Sequence, residues 1–109
     1  MALKKIGKFS LHNGGGFAVR GKVAWLDEDG EQKLSSEAGE LSLGFTGDVN
    51  PGELGVPDGS IVSLYAFVVW GYDNQARQSF LFEKGNPVVA KYTITGTIGS
   101  NTLGLISAD

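Results

Sequence analysis

The segment Trp70-Gly71-Tyr72-Asp73-Asn74-Gln75, with Arg77 two residues on, is the densest set of groups in the chain suited to recognition chemistry. A sugar is held by an aromatic plate against its apolar ring face. Planar carboxylate or amide groups then pair with its hydroxyls. Trp70 and Tyr72 supply plates, and Asp73, Asn74 and Gln75 supply planar polar groups. Gly71 lets a ligand approach the backbone. Set at a strand end, the segment reads as a ligand-binding loop, with carbohydrate as the expected ligand class. The ordinary alternative is a hairpin tip in which Trp70 stacks on Arg77 as a cation–π pair.

Other polar constellations are weaker. Asp48, Asn50, Glu53 and Asp58 lie in one long connection, and their oxygens are the type calcium prefers. Yet Asn50-Pro51-Gly52 and Val56-Pro57-Asp58-Gly59 are also common turn sequences. Asp27-Glu28-Asp29-Gly30-Glu31 lacks the spacing of a helix-flanked calcium loop, because Trp25 stands where an oxygen ligand is needed. It reads as a hairpin turn closed by Gly30. Asn13-Gly14-Gly15-Gly16 opens a strand and not a helix, so it does not make a phosphate cradle. His12 is the only histidine and there is no cysteine, which leaves transition metals without their usual ligands. Ser10 near His12 is too little for a nucleophile–base pair. The acids sit in predicted turns, where burial does not tune their pKa values. No cofactor and no catalysis are expected.

The elements that position these residues are strands. Phe17, Val19, Val23 and Trp25 share one face of a strand, with Arg20 and Lys22 on the other. Leu41, Leu43 and Phe45 alternate with Ser42 and Gly44. Val88, Ala90, Tyr92 and Ile94 alternate with Val89, Lys91, Thr93 and Thr95, and Leu103 and Leu105 begin a last strand. Segments 3–11, 61–72 and 76–83 complete a set of about seven to eight strands. Pro51, Pro57 and Pro87 fall between them. The expected fold is all-β: a single antiparallel β-sandwich over residues 1–109, with a small barrel as the alternative.

One hairpin is assigned a register. Asp73-Asn74 as a two-residue turn pairs Tyr72 with Gln75, Trp70 with Arg77, Phe67 with Phe80 and Tyr65 with Phe82. Those aromatics would then face the core. Val62, Leu64, Ala66, Val68, Trp70 and Leu81 would make an apolar second face. Such a face, if uncovered, marks a contact surface. Val62, Leu64, Val68 and Leu81 are therefore the expected interface of a homo-oligomer.

Composition bounds the rest. The 109 residues fit one domain, and 41 % hydrophobic content is enough for one core. The 17 glycines are spread as punctuation between short apolar stretches, as in a turn-rich β domain. A net charge of −3 argues against nonspecific nucleic-acid binding. Nine of the twelve acids fall between Asp27 and Asp58, after a basic start at Lys4, Lys5 and Lys8. That bipolar distribution would suit head-to-tail pairing of copies. The start lacks the apolar run of a signal peptide, and residues 61–70 are too short to span a membrane. The expected location is cytoplasmic, or released without a visible signal.

In its acidic, glycine-rich composition the chain is similar to the small β-sandwich proteins that include lectins and the membrane-binding aegerolysins. The likeness is compositional and transfers no residue. The expected function is a non-catalytic, lectin-like binding module made multivalent by self-association. The alternatives are a self-assembling structural subunit and a β-sandwich that binds a membrane surface, as cytolysins do.

Overall fold

The computed structural model describes residues 2–109, and its described residues contain strands and no helix. Eleven strands form two sheets: β1 (Lys5–Ile6), β2 (Lys8–Asn13), β3 (Val19–Leu26), β4 (Gln32–Leu34), β5 (Glu40–Leu41), β6 (Thr46–Val49), β7 (Ile61–Val68), β8 (Asn74–Gln75), β9 (Phe80–Phe82), β10 (Val89–Thr97) and β11 (Ser100–Ala108). The larger sheet has the order β1-β9-β7-β3-β4, with β5 also on β3 and β8 also on β7. The smaller has the order β11-β10-β2-β6. The two pack as a sandwich and do not close into a barrel.

The sandwich is the expected fold, and most of its strand pairs are antiparallel, but both sheets are mixed. β1 runs parallel to β9 and β2 runs parallel to β10. Gly7 is the cause. One N-terminal segment serves both sheets and changes sheet at this residue, where the Gly7 amide donates to the Val88 carbonyl at 2.9 Å. Any side chain there would collide with the Asn86 backbone.

The core lies between the sheets. β2 supplies Phe9 and Leu11, and β10 supplies Ala90, Tyr92 and Ile94, each at period two. Val19 and Val23 of β3 face them with Val62, Leu64, Ala66 and Val68 of β7 and with Phe80 and Phe82 of β9. The Phe9 and Phe80 rings meet edge to face across the layer, with centroids 6.0 Å apart. Gly21 on β3 makes room for Val49 of β6.

β7 therefore presents its faces the opposite way from the sequence expectation. Val62, Leu64 and Val68 are core residues and make no outer interface. Tyr65 and Phe67 lie half-buried on the outside. Long cations of β3 cover the outer ring: Arg20 and Lys22 sit 5.8 and 5.3 Å from the Phe67 centroid. Leu81 sits opposite Ile61 on that outer face, while Phe80 and Phe82 turn inward.

The hairpin register also differs. Tyr65 pairs with Gln75 and Ala66 with Asn74, whereas Val62 pairs with Phe80. Asp73-Asn74 is not the turn. The chain leaves β7 after Val68 and makes a wider loop before β8.

Candidate functional site

Strand directions bring four loops to one end of the sandwich. Val19, the first residue of β3, pairs with Val68, the last of β7, and with Leu41 of β5. β2 ends at Asn13 just before β3 begins. β10 runs parallel to β2 and so finishes at the same end, and β6 begins there opposite His12. The loops leaving β2, β5, β7 and β10 thus converge.

Asn13 organises that end from inside. It is fully buried, and its side-chain amide donates to the Phe17 carbonyl at 2.6 Å and the Leu41 carbonyl at 2.9 Å. Its Oδ1 accepts the Gly15 amide at 2.9 Å. Its backbone N–H and C=O pair with Phe45 and Gly44. One residue ties three chain segments together, with every side-chain polar group satisfied.

The loops are also tied to one another. The Gly14 amide donates to the Ile94 carbonyl, the Gly16 amide to the Gly96 carbonyl, and the Tyr72 amide to the Ile98 carbonyl at 3.0 Å. Gly71 packs against Ile98 so closely that a Cβ would lie 2.8 Å from the isoleucine Cβ. The Asn101 side chain donates to the Tyr72 carbonyl at 2.8 Å.

This framework holds apolar side chains out into solvent. Trp70 is 92 % exposed, Tyr72 73 %, Phe45 63 %, Leu43 61 % and Ile98 46 %. All five sit on loops of this end. Backbone hydrogen bonds between neighbouring residues, among them Tyr72 to Ile98 and Asn13 to Phe45, fix the loops that carry them. Trp70 is held with φ of +63°, a left-handed conformation unusual for a bulky residue. Such strain is retained where the surroundings impose it.

The loop end is also nearly free of charge. Residues 14–18, 42–45, 69–72 and 97–102 contain no Asp, Glu, Lys or Arg. Asp73 is present and solvent-exposed, with both oxygens engaged by donors of this same hairpin. Its Oδ1 accepts the Val68 amide at 3.0 Å and its Oδ2 the Tyr65 hydroxyl at 2.7 Å. The hydrogen bond to Asp73, together with partial burial, pushes the Tyr65 phenol up to about 12.

The expected ligand loop is thus split by the structure. Trp70 and Tyr72 stand at the tip. Asp73 is consumed within the loop. Asn74 and Gln75 form β8, where Asn74 bonds Asn101 at 2.8 Å and Gln75 bonds Ser63 and Gln32. Arg77 lies beyond, lining a groove with Asn74, Gln75 and Asn101. Among the described residues the ring with cations above it is that of Phe67, and the Trp70–Arg77 stack is not formed.

Three contributors were missed. Leu43 and Phe45 read as strand residues because they alternate with Ser42 and Gly44. The strand ends at Leu41, and Gly44 at φ +89° turns the chain before β6. Ile98 sits in the turn between β10 and β11, where an isolated branched hydrophobe between Thr97 and Gly99 was the available signal.

Three of the four calcium candidates are engaged in other bonds. Asp48 pairs with Lys8 at 2.8 Å, Asn50 caps the Gly52 amide, and Asp58 accepts the Lys84 amide. Among the described residues no three His, Cys, Asp or Glu gather as a metal site. The Asp27 turn forms as expected. Gly30 sits at φ +78°, and backbone amides, that of Glu31 above all, hold the Asp27 carboxyl below its usual range. His12 contacts Thr46 at 2.7 Å on the surface of the smaller sheet.

No family model matches the chain, and no curated protein does. Solved structures match in fold. Listeriolysin O aligns over 94 % of this chain and 22 % of its own, with a TM-score of 0.51 and 14 % identity. A Gram-negative toxin aligns over 94 % of this chain and 23 % of its own, with a TM-score of 0.50 and 16 % identity. The membrane-binding domain of pneumolysin aligns over 94 % of this chain and 98 % of its own, with a TM-score of 0.47 and 15 % identity. The chain spans less than a quarter of the listeriolysin O and Gram-negative toxin chains. At these identities the relationship is one of fold: the chain has the β-sandwich architecture found in part of these toxins.

Proposed function

We propose that the protein docks on a lipid surface through the loop end that carries Trp70, Tyr72, Ile98, Leu43 and Phe45. One observation carries the reading: five large apolar side chains are held in water on loop tips that carry no charged residue, over loops cross-linked by backbone hydrogen bonds. Trp and Tyr favour the boundary between hydrocarbon and headgroups, where an apolar body and a polar tip are both accommodated. The fold shared with listeriolysin O supports a reading in this class. The carbohydrate reading has less support, because Asp73, Asn74 and Gln75 already bond to Val68, Tyr65, Asn101 and Ser63.

The mechanism is insertion by side chains alone. Backbone bonds such as Tyr72 N–H to the Ile98 carbonyl and Gly71 N–H to the Val68 carbonyl hold the loops in shape while the side chains enter the apolar layer. The energy comes from apolar area, at roughly 1.5–3 kcal/mol for one large side chain fully buried. Net charge is −3 and residues 14–18, 42–45, 69–73 and 97–102 contain no Lys or Arg, so attraction to anionic lipid contributes little to docking.

The test is co-sedimentation with phosphatidylcholine vesicles. Wild type pellets with them and Trp70→Ala loses on the order of tenfold or more in affinity. Raising salt to about 0.5 M leaves wild-type binding in place. Equal binding by wild type and Trp70→Ala would reject the reading.

A further inference from the structure

Just behind the loop end, between β8 and the start of β11, lies a groove of about 430 Å³ lined by Asn74, Gln75, Arg77, Asn101, Thr102 and Leu103. No carboxylate lines it. Its amides are already fixed: Asn74 donates to Asn101, Asn101 to the Tyr72 carbonyl, and Gln75 to Ser63. Arg77 is different. The chain's other arginine, Arg20, is held by Glu40 at 2.9 Å and Glu37 at 3.5 Å. Among the described residues no ion pair or aromatic ring engages Arg77. A guanidinium with its donors free, in a groove of neutral polar groups, is a receptor for an oxyanion.

Depth identifies the anion. Asn74 follows Tyr72 by two residues, about 7 Å of extended chain. The polar zone on each side of a bilayer is about 5–8 Å thick. With Tyr72 and Trp70 at the hydrocarbon boundary, the groove stands at the level of the headgroups. The anionic group every phospholipid carries there is its phosphate.

We propose that this groove seats the phosphate of a phospholipid headgroup. Arg77 makes a paired contact with the phosphate oxygens and Thr102 adds a hydroxyl donor. The proposal rests on the docking reading above and adds a lipid class to it. Aromatic insertion would supply affinity, and the groove would supply preference for phospholipid over phosphate-free lipid.

The experiment compares vesicles of phosphatidylcholine with vesicles of digalactosyl diglyceride, which carries no phosphate, using wild type, Arg77→Gln and Trp70→Ala. Wild type is expected to bind phosphatidylcholine about tenfold more tightly than galactolipid, the scale of one charged hydrogen-bonded contact. Arg77→Gln, a change at an exposed position, is expected to bind both alike at the wild-type galactolipid level. Trp70→Ala is expected to weaken on both while keeping the ratio. A phospholipid preference that survives in Arg77→Gln overturns the proposal and leaves docking intact. Tighter binding of galactolipid by wild type also overturns it, in favour of a sugar headgroup. Failure of wild type to bind either vesicle removes the docking reading itself. A titration with glycerol phosphate, followed by the amide signals of Asn101 and Thr102, then decides the groove separately. Shifts lost in Arg77→Gln would reassign it to a soluble phosphate and overturn the lipid source.

Discussion

The Tyr65 hydroxyl donates to Asp73 Oδ2 at 2.7 Å, and this contact braces the loop that presents Trp70 and Tyr72. The other oxygen, Oδ1, accepts the Val68 amide where β7 ends. Asp73 thus needs two acceptors. Asp73→Ala leaves the amide of buried Val68 unpaired, at a cost of about 1–3 kcal/mol. Asp73→Asn retains one acceptor for Val68 and turns an NH2 toward Tyr65, which can accept it. Its stability should therefore fall less than that of Asp73→Ala in urea unfolding, and the phenol signal should titrate nearer the ordinary tyrosine value.

The same contact sets an alkaline limit on stability. Asp73 and partial burial push the Tyr65 phenol up to about 12, and burial pushes Tyr92 up to about 12 as well. The unfolded phenols ionise near 10. Below that pH both states are neutral at these sites and stability is intact. Above it the unfolded chain loses protons first, so stability falls as pH rises from about 10 through about 12. Urea midpoints taken across that window should decline in wild type. In Asp73→Asn the decline should be smaller, because Tyr65 keeps only the part of its shift that comes from burial while Tyr92 keeps all of its own.

Trp70 carries conformational strain at φ +63°. Glycine removes that strain and alanine does not, since alanine keeps a Cβ. Trp70→Gly should gain about 1 kcal/mol over Trp70→Ala, a melting difference of roughly 4–8 °C for a domain of this size. Both should lose vesicle binding. Equal melting temperatures for the two variants would show that the left-handed backbone there costs nothing.

Period-two alternation made β2, β3 and β10 legible, because each is apolar on one face and polar on the other. β7 is apolar on both faces, so its own pattern cannot say which side is inside. The deciding information sits on its neighbour. Arg20 and Lys22 mark the outer face of β3, and the observed register places them opposite Phe67 and Tyr65. Reading β7 against β3 rather than against its own aromatics would have put Val62, Leu64 and Val68 in the core. The loop after β7 was misread for a different reason. Asp73 looked like a turn residue, but its carboxylate works over distance, at residues five and eight positions earlier. The exposed end was legible only in part. Trp70 and Tyr72 stood out as aromatics, whereas Leu43, Phe45 and Ile98 join them only because four strands finish together.

Asn13 should be the most sensitive polar position. Its buried side chain satisfies two carbonyls and one amide. Asn13→Leu would leave all three without partners, at about 1–3 kcal/mol each if they stay buried. The loss should approach a large share of the 5–15 kcal/mol that holds a typical domain. Urea unfolding of Asn13→Leu should show a much lower midpoint or no folded baseline. An unchanged midpoint would mean that the loop end reorganises around water and that Asn13 does not organise it.

Gly71 separates presentation of the aromatics from their mere presence. The Tyr72 amide reaches the Ile98 carbonyl only because Gly71 lets the two loops touch. Gly71→Ala adds one methyl where a Cβ would stand 2.8 Å from Ile98 Cβ, so one loop must move. Such overpacking costs roughly 1–3 kcal/mol. Every exposed apolar residue remains, so the total apolar area is unchanged. If docking needs Trp70, Tyr72 and Ile98 on one rigid end, Gly71→Ala should bind phosphatidylcholine vesicles more weakly at a temperature where it is still folded. Binding equal to wild type would mean that loose aromatic side chains suffice, and the hydrogen-bonded framework would then serve stability alone.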